Sequence, residues 1–92
     1  MMVEKGAVPR LTGFSKAVLP PHKSIPPHAH AVMDEIFYIE AGECIFHLDG
    51  EPLKVSAGTS VHAAAGQVHA IDNVSDKELV LLYFGILLED QW

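Results

Sequence analysis

The sequence predicts an all-β fold, on three observations. Pro and Gly recur at 20, 21, 26, 27, 42, 50, 52, 58 and 66, cutting the middle of the chain into pieces too short for ordinary helices. The segments between these breaks have ordinary strand length and are rich in Ile, Val, Phe and Tyr. Within most of them apolar and polar residues alternate with period two, the mark of a half-buried sheet.

The first segment, 14–19, lies between Gly13 and the Pro20-Pro21 pair. The second is 35–40. Met33, Ile36, Phe37 and Glu40 also fall at helical spacing there, but Ile-Phe-Tyr-Ile favours extended backbone and Gly42 would stop a helix after two turns. Segments 44–48 and 53–56 flank Asp49-Gly50, a strong two-residue turn signal, and Ala41-Gly42 offers a similar turn before them. Folding both hairpins pairs Ile39 with Cys44, Phe37 with Phe46 and Glu35 with Leu48, then Phe46 with Leu53 and Cys44 with Val55; a bulged turn at Ala41-Gly42 would shift the first register by one residue. One face then collects the apolar side chains, while Tyr38, Glu40, Glu43, Ile45, His47, Pro52 and Lys54 take the other. Segment 68–73 follows Gly66. The last, 79–88, opens with Leu79-Val80-Leu81-Leu82-Tyr83-Phe84, which does not alternate and so should be covered on both faces. A homodimer is the simplest cover, with Leu87, Leu88 and Trp92 adding to the patch; burial of this strand within the fold would serve for 79–84 alone.

A chain of 92 residues and 10.0 kDa suits a single domain, 1–92, with 1–10 read as a loose arm. Six Lys and Arg against twelve Asp and Glu give a net charge of -6, which argues against nucleic acid as a partner. Protonating the six His would bring that charge to zero, so solubility should be poorest in mild acid. The apolar run at 79–88 contains Gly85 and is well short of the ~20 residues of a membrane-crossing helix. Cys44, the sole cysteine, cannot form an intrachain disulfide, and a cytoplasmic location is expected.

Glu35 is the one charged group on the apolar face. A carboxylate facing a core is costly unless it is paired, protonated or bound to a metal. Five residues earlier lies His28-Ala29-His30, whose alternate side chains share a face in extended backbone, stiffened by Pro26-Pro27. His69, on a later strand, supplies a third imidazole. Three imidazoles and one carboxylate make a metal nest suited to a divalent transition ion, Fe, Mn, Ni, Cu, Co or Zn. On an octahedral ion they leave two adjacent positions for a bidentate substrate, or for substrate beside dioxygen.

His28-X-His30, four residues, Glu35, six residues, Gly42 resembles the first signature of the cupin superfamily. Gly58, five residues, Ala64, X, Gly66, two residues, His69, three residues, Asn73 resembles the second, fifteen residues on from Gly42. His22 stands where the first signature usually has Gly, and Ala64 where the second has Pro; the other eight of ten fixed positions match. The motifs span 22–73. The resemblance implies a double-stranded β-helix, or jelly-roll barrel, commonly dimeric, with one divalent ion held by His28, His30, Glu35 and His69 inside its mouth.

Phe37, Ile39, Phe46 and Ile71 are candidates to line the pocket around that ion, although core packing explains them as well. His22, His47 and His62 lie outside the ligand pattern, with His47 facing away from the pocket and the other two in loops or strand ends. Cys44 reads as core rather than nucleophile. Tyr38 could hydrogen-bond a substrate, but its parity points outward. The leading functional expectation is a metal-dependent enzyme on a small organic molecule, most simply of dioxygenase type. The alternatives are a non-redox isomerase, lyase or sugar-acid enzyme using the ion as a Lewis acid, and a binding or sensory module without turnover.

Overall fold

A computed structural model describes residues 9–88. Of the readings above, most of the 1–10 arm and Trp92 lie outside these residues. Eight strands follow in order: β1 Leu11–Leu19, β2 Ser24–His28, β3 Met33–Ala41, β4 Glu43–Leu48, β5 Glu51–Ser56, β6 Ser60–Ala63, β7 His69–Asp72 and β8 Leu79–Leu87. They form two four-stranded sheets, ordered β1-β8-β3-β6 and β2-β7-β4-β5, with every pairing antiparallel. This is the jelly roll of the double-stranded β-helix. No helix among the described residues is long and apolar enough to cross a membrane.

The facing of each side chain follows the alternation. Ile39, Phe37, Cys44, Phe46, Ile71, Leu79 and Leu81 meet in one core between the sheets, while Tyr38, Glu40, Glu43 and Lys54 face out. The hairpin at Asp49-Gly50 has the expected register, Cys44 opposite Val55 and Phe46 opposite Leu53. Leu53 nevertheless is exposed, because β5 is the outermost strand of its sheet.

The expected hairpin between β3 and β4 does not form. β3 pairs with β8 and β6, and β4 with β7 and β5, so Ala41-Gly42 is a corner at which the chain changes sheet. Gly42 has φ +89, and a Cβ there would come within 2.6 Å of the Glu78 carbonyl oxygen. The tight corner is closed by Ala57 N–H donating to the Gly42 carbonyl at 3.0 Å and Gly58 N–H to that of Ile39 at 2.8 Å. Alternation survives this change because period two dictates which face a residue takes, not which strand it pairs with.

No strand is expected from the sequence over β6, and of the extended segment expected at 28–30 only His28 lies within β2. β2 contains Pro26-Pro27 and β6 is four residues long; both lie at sheet edges, where a missing N–H or a short ladder is tolerated. β8 sits between β1 and β3, with Leu79, Leu81 and Leu87 buried inward and Val80, Leu82 and Phe84 half-covered on the outer face.

Candidate metal centre

β2 ends at His28, opposite His69 at the start of β7, and the two rings lie 4.1 Å apart. His30 follows in the loop to β3. Glu35 enters from β3 in the other sheet, so the group closes only when the sheets pack. One donor atom from each of His28, His30, Glu35 and His69 lies within 4.8 Å of the rest. Glu35 and His69 are 8% and 2% exposed, while His28 and His30 stand nearer the solvent.

Glu35 Oε1 approaches His69 Nε2 at 3.0 Å and His30 Nε2 at 3.2 Å. Yet Glu35 Oε1 and the His69 Nε2 that faces it are buried without a hydrogen-bond partner. Orphaned buried polar atoms are expensive. Two donors bound at right angles to an ion with bonds of about 2.1 Å would lie about 3.0 Å apart, so these contacts have the spacing of ligands around a shared ion. The donor set therefore fits a divalent transition metal. Burial, and the neighbouring His28, hold the His69 imidazole below its usual pKa, favouring the neutral form a metal requires. His28 Nδ1 donates to the Pro26 carbonyl at 3.1 Å, leaving Nε2 as its free donor.

The loops carrying these side chains are tied together. Gly66 N–H donates to the His30 carbonyl at 2.8 Å, and Ala65 N–H to Asp34 Oδ1 at 2.7 Å. Ala64, which departs from the signature, donates its N–H to Gln67 Oε1 at 2.9 Å, a bond proline could not make. His22, the other departure, adopts φ 60, the left-handed conformation that explains glycine in the usual pattern. Asn73, 2% exposed, donates its amide to the carbonyls of Leu19, Pro20 and Lys77 and accepts from Ser75, which makes it a structural tie between two connections.

A cavity of about 170 Å³ adjoins the group, lined by Ala17, Ile25, Phe37, Ile71, Leu81 and Tyr83 together with His28 and Glu35. Phe37 and Ile71 are thus at the cavity, whereas Ile39 and Phe46 are fully buried in the core and do not line it. Tyr83 was hidden by the unalternating run, although its odd-numbered parity with Leu79 and Leu81 was a usable signal. The remaining histidines pair with aspartates instead: His22 with Asp76 at 2.8 Å, His47 with Asp72 at 2.8 Å and His62 with Asp34 at 3.0 Å. His22 is in the β1–β2 turn, and His62 lies within the edge strand β6 rather than at its end.

Comparison with known proteins agrees with this architecture. The family model for the cupin domain matches residues 15–85. An oxalate-binding protein of Thermotoga maritima is 36% identical over 75 residues, covering 82% of this chain; the chain spans only 62% of that relative's length. The crystal structure of a predicted oxalate decarboxylase from Thermotoga maritima superposes with a TM-score of 0.83 at 34% identity, covering 86% of this chain and 69% of that one. A cupin protein from Bacteroides fragilis shares the fold at a TM-score of 0.81 and 24% identity, over 94% of this chain and 73% of its own. With the signature residues converging at the mouth of the jelly roll and a family match across most of the chain, this protein belongs to the cupin superfamily.

Proposed function

We propose that the chain holds one divalent transition-metal ion through His28, His30, Glu35 and His69 and uses it to bind a small carboxylate of the oxalate class. The observation that carries this reading is the convergence of the four donors, those of Glu35 and His69 buried without a partner, beside a small cavity. Bound there by these four side chains, the ion would supply a Lewis acid for oxygen ligands. Three neutral imidazoles and one carboxylate leave the loaded centre with one net positive charge, suited to an anion. Phe37, Ile71 and Leu81 give the cavity an apolar lining, and a low local dielectric there would strengthen that attraction. A volume of about 170 Å³ has room for a compact acid. The oxalate-binding relative supports the same ligand class. Calorimetric titration of the Mn(II)-loaded protein with oxalate tests the reading: saturable binding, absent in the metal-free protein, is expected, and no heat from either form would refute it.

The oxygen-dependent reading, a dioxygenase-type reaction on a small chelating substrate, is favoured by the donor set itself, which suits Fe(II). Oxygen uptake by the Fe(II)-loaded but not the Zn(II)-loaded protein, given an enolisable acid, is its test. Full activity with Zn(II) in the absence of oxygen would instead indicate the non-redox isomerase or lyase class.

We further propose a homodimer formed through the outer face of the β1-β8-β3-β6 sheet. Phe14, Val18, Ile36, Leu82, Phe84 and Ile86 supply apolar surface on this face beside Tyr38 and the Lys16–Glu40 ion pair, and Val18 and Ile86 are 49% and 40% exposed.

A further inference from the structure

Tyr83 is half-buried on β8, opposite Phe37 of β3, with the two rings stacked at a centroid distance of 5.9 Å. It lines the cavity beside the metal-ligand group. Among the residues lining that cavity it alone is polar without belonging to the donor set; Ala17, Ile25, Phe37, Ile71 and Leu81 have no side-chain hydrogen-bonding group. Neither Lys nor Arg reaches the cavity lining. The Tyr83 hydroxyl makes no hydrogen bond to any described residue, although the ring around it is packed against the core.

We infer that Tyr83 is a specificity-determining residue: its hydroxyl donates a hydrogen bond to the carboxylate oxygen that a chelated dicarboxylate leaves pointing away from the ion. This rests on the carboxylate-binding reading above. An acid such as oxalate, attached through one oxygen of each carboxyl, keeps two further oxygens as acceptors. In an apolar cavity those acceptors are costly without a donor. Among the lining side chains outside the donor set, Tyr83 alone carries a hydrogen-bond donor to supply it. A ligand with no second acceptor gains nothing from the hydroxyl, so the residue selects dicarboxylates and 2-oxo acids over simple monodentate anions.

The test compares wild type with Tyr83→Phe, which keeps the ring and its stacking on Phe37 and removes only the hydroxyl. Both proteins are loaded with Co(II) and titrated with oxalate and, separately, with chloride, a monoatomic anion without a second acceptor atom, following the visible absorption of the ion. A hydrogen bond to a charged acceptor predicts about tenfold or more weaker oxalate binding in Tyr83→Phe, with chloride affinity and Co(II) content unchanged. Equal oxalate affinity in the two proteins would overturn the role of Tyr83 alone. Equal weakening of oxalate and chloride would also overturn it, showing an effect on the metal group rather than on the ligand. Chloride binding without any oxalate response in wild type would remove the carboxylate reading itself, and this inference with it.

Discussion

Glu35 reaches the interior with Oε1 directed at two imidazole nitrogens and hydrogen-bonded to neither. Such a contact between acceptors makes sense only with a cation or a proton between them, and three convergent imidazoles favour the cation. The convergence of these four side chains was legible in the sequence, because an alternating His pair and a carboxylate on an otherwise apolar face point to one shared place. Tyr83 was less legible, since the apolar run around it conceals which face it takes. Cys44 shows the opposite outcome, a reactive residue type made inert by position. Burial pushes its thiol up to about 11, so it stays protonated across the neutral range. Iodoacetamide should therefore leave the native protein unmodified at pH 8 while alkylating it promptly in denaturant; rapid native alkylation would contradict the burial.

At the scale of the strands, the sequence encoded facing better than partnership. The alternation in β3 and β4 put Phe37, Ile39, Cys44 and Phe46 inside, yet gave no sign that the chain changes sheet between them. That information resides in Gly42, whose conformation and close approach to Glu78 suit a corner rather than a hairpin. Gly42→Ala should accordingly destabilise the fold by about 2 kcal/mol or more in urea denaturation, combining backbone strain with a steric clash. Gly50, with φ +81 but open space around it, should lose only about 1 kcal/mol on the same change. Equal losses would mean that the corner is not tightly packed. The paired aspartates add a pH dependence. The Ala65 N–H and then His62 hold the Asp34 carboxyl below its usual range, and Ser24 and then His47 do so for Asp72. Folding thus favours the deprotonated carboxylates, so their stabilisation is complete above the unfolded value of about 4 and is lost as pH falls through the lower folded values. The urea midpoint should drop as pH is lowered from about 5 to 3, with a shallower slope in Asp34→Asn and Asp72→Asn. An unchanged slope in both variants would assign the acid sensitivity to other groups.

For the molecule as a whole, the two sheets meet in a core that leaves the outer face of β8 half-covered. Light scattering coupled to size-exclusion chromatography at micromolar protein should give about 20 kDa, twice the 10.0 kDa chain, if a second copy covers that face. A mass of about 10 kDa would dismiss the dimer, and Phe84→Lys should shift a true dimer toward that value. The central claim concerns the place where both sheets contribute donors to one point. Elemental analysis of protein purified without a His tag, beside Glu35→Gln, His69→Ala and His47→Ala, tests it most directly. The account predicts near one equivalent of a divalent transition metal in wild type and in His47→Ala, whose imidazole faces Asp72, with metal affinity lost or weakened by orders of magnitude in the other two. Equal metal content in wild type and His69→Ala, or no metal even after anaerobic reconstitution with Fe(II), would contradict it.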